Sequence, residues 1–92
     1  MDQDVIQIKG TILKIKDIEV NNDSGFTKRV ISFQPKHGKV FYPEFHYRRM
    51  KLLNGFEDGD EVILSIKIFG SENETRITNN IVADGIRKLQ LQ

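Results

Sequence analysis

The 92 residues of this chain are enough for one domain and include no cysteine, which excludes disulfide staples, thiolate catalysis and cysteine-based zinc sites. The 14 basic and 13 acidic residues leave a net charge of +1, which excludes the strongly basic surface of a nucleic-acid coat protein. The sequence has no secretory signal and no apolar run that could span a bilayer, so we expect a single domain over residues 1–92, cytoplasmic and without membrane contact.

The first predicted element is a long strand over residues 5–20 that changes phase near its middle. Ile8 and Gly10 share one face, whereas Leu13 and Ile15 have the opposite parity. A glycine followed by a change of phase predicts a bulge or bend, which would let one strand serve two sheets.

A turn and a second strand follow. Residues 21–25 read NNDSG, and these residue types form tight turns because they tolerate left-handed backbone or bond to their own backbone. Residues 26–33 then alternate, with Phe33 on one face and Lys28 and Val30 on the other. The pattern predicts a hairpin between the first two strands.

The third predicted strand covers residues 39–47. Pro43 cannot donate to a ladder, which assigns this strand to an edge or a bulge. Phe41 and Phe45 share one parity, and we expect them to face the core because both are entirely apolar. The opposite parity, expected to point outward, belongs to Tyr42, Glu44 and His46.

A short helix over residues 48–56 is predicted next, because the strand alternation stops and apolar residues recur at helical spacing. Met50, Leu53 and Phe56 form one apolar side, and an Asn-Gly pair closes the segment as a helix cap. We expect this side to pack against an open end of a barrel.

Two further strands complete the pattern, at residues 62–69 and 75–89. In the first of them Ser65 and Lys67 are predicted to point outward. Its predicted inward residues are Val62, Leu64, Ile66 and Ile68. The order β-β-β-α-β predicts an all-β protein with a five-stranded OB-fold barrel and a short helix between strands three and four. An SH3-like barrel is the alternative, although its helical turn usually falls one strand later.

Rings and positive charges cluster in residues 38–51. Bases stack on aromatic rings, and the fixed fork of donors on arginine suits phosphate. The candidate nucleic-acid-binding residues are Lys28, Arg29, Tyr42, His46, Tyr47 and Arg48. The competing interpretations are that the rings cover the barrel or form a subunit contact, and that the arginines lie on a solvated helical turn.

Four segments of the chain, IKGTILKI, TKRVISF, RRMKLLNGFEDGDEV and ITNNIVADGIRKL, carry a resemblance to a known family. The chain resembles the bacterial single-stranded-DNA-binding proteins, and in particular short domains with that OB core and no acidic tail. The resemblance implies a groove over the second and third strands where bases stack on aromatics. Tyr42 and His46 match the stacking positions of the third strand, with Tyr47 at its end. The second strand has Lys28 and Val30 where a ring is expected, and the sequence has no tryptophan.

Together these patterns predict a non-catalytic module that binds single-stranded DNA or RNA, with no cofactor and no metal. The alternative is an OB-fold interaction or assembly module with no role in nucleic-acid binding, which the near-neutral charge favours. Catalysis has little support, because His37 and His46 are the only histidines, Ser24 and Ser32 have no visible relay partners, and no glycine-rich phosphate loop is present. We also expect a homo-oligomer, with a two-fold dimer favoured, joined through the first strand or near Lys67, Phe69 and Asn80.

Overall fold

The computed structural model describes residues 4–89, which form six strands and one 3₁₀ helix. The elements are β1 (Ile6–Ile15), β2 (Glu19–Val20), β3 (Thr27–Pro35), β4 (Glu44–His46), the helix (Tyr47–Leu53), β5 (Glu61–Glu72) and β6 (Ile77–Lys88). Residues 1–3 and 90–92, the two ends of the single domain expected from the sequence, lie outside the described residues. Over residues 4–89, no helix is long and apolar enough to cross a membrane.

The sheet closes on itself because β1 pairs with two partners. Its first half runs antiparallel to β5, and its second half runs antiparallel to β3. The circuit is completed by β4, which is antiparallel to β3 and parallel to β6, and by the long β5–β6 hairpin. Five strands closed in this order, with a short helix between β4 and β5, form an OB-fold barrel. The predicted fold class is therefore confirmed.

The predicted first strand, residues 5–20, is divided into two in the structure. β1 ends at Ile15, and β2 is a two-residue extension of the next hairpin that pairs with β3. The register with β3 shifts between Ile12 and Lys14, so Leu13 bulges out of the ladder. The bulge confirms the predicted change of phase but lies three residues beyond the glycine. As a result Ile12 is fully buried and Leu13 is exposed.

Gly10 allows β1 to cross closely over β3. A Cβ at this position would overlap the carbonyl oxygen of Gln34 and the ring of Phe33. Only glycine permits so close an approach of two backbones. The glycine therefore sits where the backbones of β1 and β3 approach closely, and the bulge of β1 follows it.

Aliphatic and phenylalanine side chains fill the barrel. The buried cluster comprises Ile12, Ile31, Phe33, Phe45, Leu53, Val62, Leu64, Ile66 and Ala83. The helix covers one end, where Leu53 is buried and Met50 and Phe56 pack against the same cluster. The apolar side predicted for the helix is confirmed.

The predicted third strand, residues 39–47, is regular only over β4. Pro43 interrupts the ladder because it has no N–H to donate, and before it a single bridge joins Phe41 to Phe33. The ring of Phe41 meets that of Phe33 edge-on, with 5.3 Å between centroids, and Phe45 is fully buried. Phe41 and Phe45 thus face the interior, as their parity predicted.

β5 and β6 continue beyond the barrel as a hairpin, the β5–β6 arm (residues 67–82), which pairs as far as Glu72 and Ile77. The principal extents of the molecule are 50 × 28 × 27 Å. The inward orientation predicted for Ile68 is wrong, since its side chain is 54% exposed. The buried face of β5 ends at Ile66, because the strand leaves the barrel there while its apolar alternation continues.

Candidate nucleic-acid interface

The strand register gathers five side chains on one side of the barrel wall, pointing away from the core. Lys28 lies opposite His46 and Val30 opposite Glu44, while Val82 of β6 is the partner of Glu44 on its other edge. Directly paired residues project from the same side of a sheet. We call these five residues the outer face, and the outward orientation predicted for Glu44 and His46 is confirmed.

A hydrogen-bonded ion network occupies the centre of the outer face. Oε1 of Glu44 lies 2.8 Å from Nε2 of His46, and Oε2 accepts a hydrogen bond from Nζ of Lys28 at 3.4 Å. Partial burial raises the pKa of Glu44, but the hydrogen bond from His46 and the charge of Lys28 outweigh it, so the pKa lies below its ordinary value. The carboxylate is therefore ionised at neutral pH and anchored by two partners.

Aromatic rings surround this network. Tyr42 precedes Glu44 by two residues, and its side chain is 57% exposed. Phe26 meets the ring of His46 edge-on at 4.8 Å between centroids and the ring of Tyr47 at 5.1 Å. These contacts fix the positions of His46 and Tyr47. Phe26 was not among the predicted site residues, although it shares the parity of Lys28, which is the signal that indicates its position here.

Tyr47 begins the helix with a left-handed backbone, at φ +50°. A residue other than glycine in this region carries a strain of about 1 to 2 kcal/mol. The conformation turns the chain sharply from β4 into the helix and leaves the Tyr47 ring exposed. Strain of this kind concentrates at functional positions, which makes Tyr47 a stronger site candidate.

A cavity of about 590 Å³, which we call the groove, opens between the start of the helix and the β5–β6 arm. It is lined by His46, Tyr47, Arg48, Arg49, Phe69, Asn80 and Val82. The lining combines three rings, one amide and two guanidinium groups, which is the chemistry that holds a base and its phosphate. Phe69 and Asn80 were predicted at a subunit contact. Phe69 shares the outward parity of Lys67, and this parity indicates that its side chain points away from the core.

The predicted cations separate into two groups. Lys28 belongs to the outer face and Arg48 lines the groove. Arg29 instead pairs with Phe45, has the parity of the core residues, and donates from Nε to the carbonyl oxygen of Lys16 at 2.6 Å. The structure therefore brings together four of the six predicted site residues, which are Lys28, His46, Tyr47 and Arg48. Tyr42 is exposed two residues before Glu44, and Arg29 stands apart from the group.

A second carboxylate lies beside the groove. Oδ1 of Asp84 is 3.4 Å from Nη2 of Arg49 and 3.4 Å from Nζ of Lys67. The two carboxylates, Glu44 and Asp84, thus each bind two basic side chains. Much of the positive charge on this side of the barrel is already paired within the protein.

A further depression of about 620 Å³ lies beside the hairpin loop that connects β2 to β3. Its lining includes Glu19 and Asp23 together with Phe26 and Lys28. Two carboxylates at its edge make it a poorer site for phosphate than the groove. In the part of the chain that the structure describes, no three histidine, aspartate or glutamate side chains converge to hold a metal ion.

No family model matches the chain, and no curated protein does. Several solved structures are similar to it. One is Rim1, a mitochondrial single-stranded DNA binding protein from S. cerevisiae, which gives a TM-score of 0.69 at 17% identity over 97% of this chain and 98% of that chain. A selenomethionine-labelled second form of Rim1 gives a TM-score of 0.54 at 18% identity, over 98% of both chains.

A small single-stranded DNA-binding protein from Streptomyces coelicolor is also similar. Its TM-score is 0.54 at 12% identity, over 96% of this chain and 95% of that chain. At these identities the likeness establishes the fold. The chain therefore has an OB fold like that of single-stranded DNA-binding proteins, as its sequence resemblance predicted.

Proposed function

We propose that this chain is a non-catalytic module that binds single-stranded nucleic acid, primarily DNA, across the outer face and the groove. The observation that carries the proposal is the continuity of the two surfaces, since His46 belongs to both. Exposed rings and basic groups meet there on one side of an OB barrel. The structural relatives named above, which are single-stranded DNA-binding proteins, support the same assignment.

In this proposal the rings supply most of the affinity. Tyr42, Tyr47 and Phe69 are exposed, and a base stacked on such a ring contributes about 1 to 3 kcal/mol. Stacking accepts every base because each has a π-face. Arg48 lines the groove and would hold a phosphate between stacked bases.

The internal ion pairs limit the electrostatic contribution. Lys28 is paired with Glu44, and Arg49 and Lys67 share Asp84. A phosphate must compete with those carboxylates, so we expect few neutralised phosphates and a shallow salt dependence. RNA fits the same arrangement, because stacking does not require the absence of a 2′-hydroxyl.

The non-catalytic assignment rests on the bonding of His46. This histidine is the one on the outer face, and it is bound to a carboxylate and flanked by a phenylalanine ring. A general base in nucleophilic catalysis lies within hydrogen-bond reach of a hydroxyl or thiol. The arrangement suits a binding surface.

Fluorescence anisotropy with a labelled mixed-sequence single strand of about 16 nucleotides tests the proposal, since OB folds cover about 4 to 16 nucleotides. We expect binding at low salt, weaker binding to the matching duplex, and a log–log salt slope of about −0.7 for each phosphate neutralised. The same titration with an RNA strand of matching sequence shows whether the protein binds deoxyribose or ribose strands more tightly. Absence of binding to any strand at low salt would overturn the proposal in favour of an interaction module.

We also propose that the chain self-associates as a two-fold dimer. Apolar side chains are exposed at the start of β1 and on the β5–β6 arm, which favours a further contact; they are Val5, Ile6, Ile68 and Ile77. A dimer joined through β1 leaves the groove open, whereas one joined through Phe69 closes it. Mass measurement in solution, with and without the oligonucleotide, separates the two. A monomeric mass at micromolar concentration in both samples removes the dimer.

A further inference from the structure

Glu44 is an acidic residue in the middle of a surface proposed to bind a polyanion. Its strand neighbours on the outer face are Val30 on one side and Val82 on the other. Its side chain is only 23% exposed. A carboxylate in this position repels phosphate and is partly removed from water, so its placement calls for a function other than solubility.

The carboxylate is rigid but has unused acceptor capacity. His46 and Lys28 hold one oxygen each, at 2.8 Å and 3.4 Å. An ionised carboxylate has about four lone-pair sites and no hydrogen to donate. About two sites thus remain, and they accept hydrogen bonds only.

Two ring side chains flank this carboxylate along the chain. Tyr42 and His46 lie two residues before and after Glu44 on the same side of the chain, which is about 7 Å in extended backbone. Bases in a single strand leave their pairing edges open. A base stacked on either ring therefore presents its edge within reach of Glu44.

We propose that Glu44 is a specificity-determining residue that makes the outer face prefer bases with an amino group over thymine and uracil. The inference rests on the proposed single-strand binding and names the ligand class for that site. Cytosine presents an N4 amino donor, which glutamate accepts, whereas uracil presents the O4 carbonyl at the same position. Uracil and thymine keep one donor on this edge, the N3–H, but it lies between two carbonyl oxygens that repel the carboxylate, so a base with an amino group is the better partner.

The first measurement uses the unmodified protein with oligo(dC) and oligo(dU) of equal length near neutral pH. Cytosine and uracil differ in the group at position 4 and in the proton on N3. Uracil is used in place of thymine because it adds no methyl group to the comparison. We expect oligo(dC) to bind at least about fivefold more tightly, which corresponds to the lower end, about 1 kcal/mol, of a base-edge pair. Equal affinities would overturn the inference and leave single-strand binding intact. Binding of neither strand, nor of a mixed-sequence strand, would overturn the proposed function itself.

The second measurement assigns the selectivity to one residue. Glu44→Gln replaces a pure acceptor with an amide that also donates, so the ratio of the two affinities should fall towards one. Asp84→Asn is the matched control, because Asp84 is also a carboxylate that binds two basic side chains on this side of the barrel. It should change both affinities by the same factor and keep the ratio. A Glu44→Gln protein that melts like its parent and retains the parent's ratio would exclude Glu44 as the cause.

Discussion

The interior of the barrel and its outer face are formed by the same strands but depend on different interactions. On β4, Phe45 is fully buried in a cluster of carbon side chains. Glu44 and His46, its neighbours in the chain, point the other way and are held by hydrogen bonds and ring contacts. The comparison indicates that substitutions in one β-strand should separate into those that change stability and those that change binding.

Phe45→Ala gives the largest expected effect and tests the interior. Removing a fully buried ring leaves a cavity, and the free energy of unfolding should fall by about 3 to 5 kcal/mol. Denaturant unfolding followed by circular dichroism measures this change. A loss below about 0.5 kcal/mol, as for a surface residue, would invert the assigned parity of β4.

Leu53→Ala tests whether the helix belongs to the interior. Leu53 is buried against the core cluster, so its truncation should reduce the free energy of unfolding by about 2 to 5 kcal/mol. Leu52→Ala is the matched control, since Leu52 is exposed on the same helix and should change stability by less than about 0.5 kcal/mol. Equal losses from both variants would show that the helix as a whole, and not one side of it, supports the barrel.

Much of the interior could be predicted from the sequence because alternation is a local pattern. The parity of Phe41 and Phe45 needs only neighbouring residues, and the spacing of Met50 and Leu53 needs only one helical turn. The exposure of Ile68 was missed because its alternation continues beyond the point where the barrel ends. The length over which a strand takes part in a barrel depends on how the barrel closes, and no local sequence pattern encodes that closure.

The groove could not be predicted in the same way, because it joins distant segments. Tyr47 and Phe69 line the same cavity because β4 pairs in parallel with β6, and the register of that pairing is seen only in the fold. Arg29 was misplaced for a simpler reason. Adjacent residues in a strand point to opposite sides, so Arg29 could not share the face of Lys28.

Tyr42→Ala tests the proposed binding surface next to the outer face. The ring is mostly exposed, so the free energy of unfolding should change by less than about 0.5 kcal/mol. Affinity for a single strand should fall by about 1 to 3 kcal/mol, the contribution of one stacked base. Anisotropy and denaturant unfolding on the same preparation check both values. A stable variant that binds as tightly as its parent would remove Tyr42 from the proposed surface.

The pH dependence of stability reports on the ion network. The hydrogen bond from His46 and the charge of Lys28 overcome the raising effect of burial, so the pKa of Glu44 in the folded protein lies below its ordinary value of 4.5. This stabilisation is complete above that value and is lost as the pH falls through the lower folded value. Glu44→Gln removes it, so on acidification from neutral pH through the folded pKa the parent should lose more stability than the variant. Parallel stability curves for the two proteins would show that the network does not stabilise the fold.

Arg48→Ala and Arg29→Ala give the smallest effect and the finest test of which side of the barrel binds. Arg48 lines the groove, so its removal should make the log–log salt slope of binding shallower by about 0.7, the share of one phosphate on a single strand. Arg29 donates to the carbonyl oxygen of Lys16 and has the parity of the core, so its removal should leave the slope unchanged. Both variants lose one positive charge, and a general charge effect would therefore change both slopes equally. A change for Arg29→Ala alone would place the nucleic acid on the opposite side of β3 and remove the outer face from the binding path.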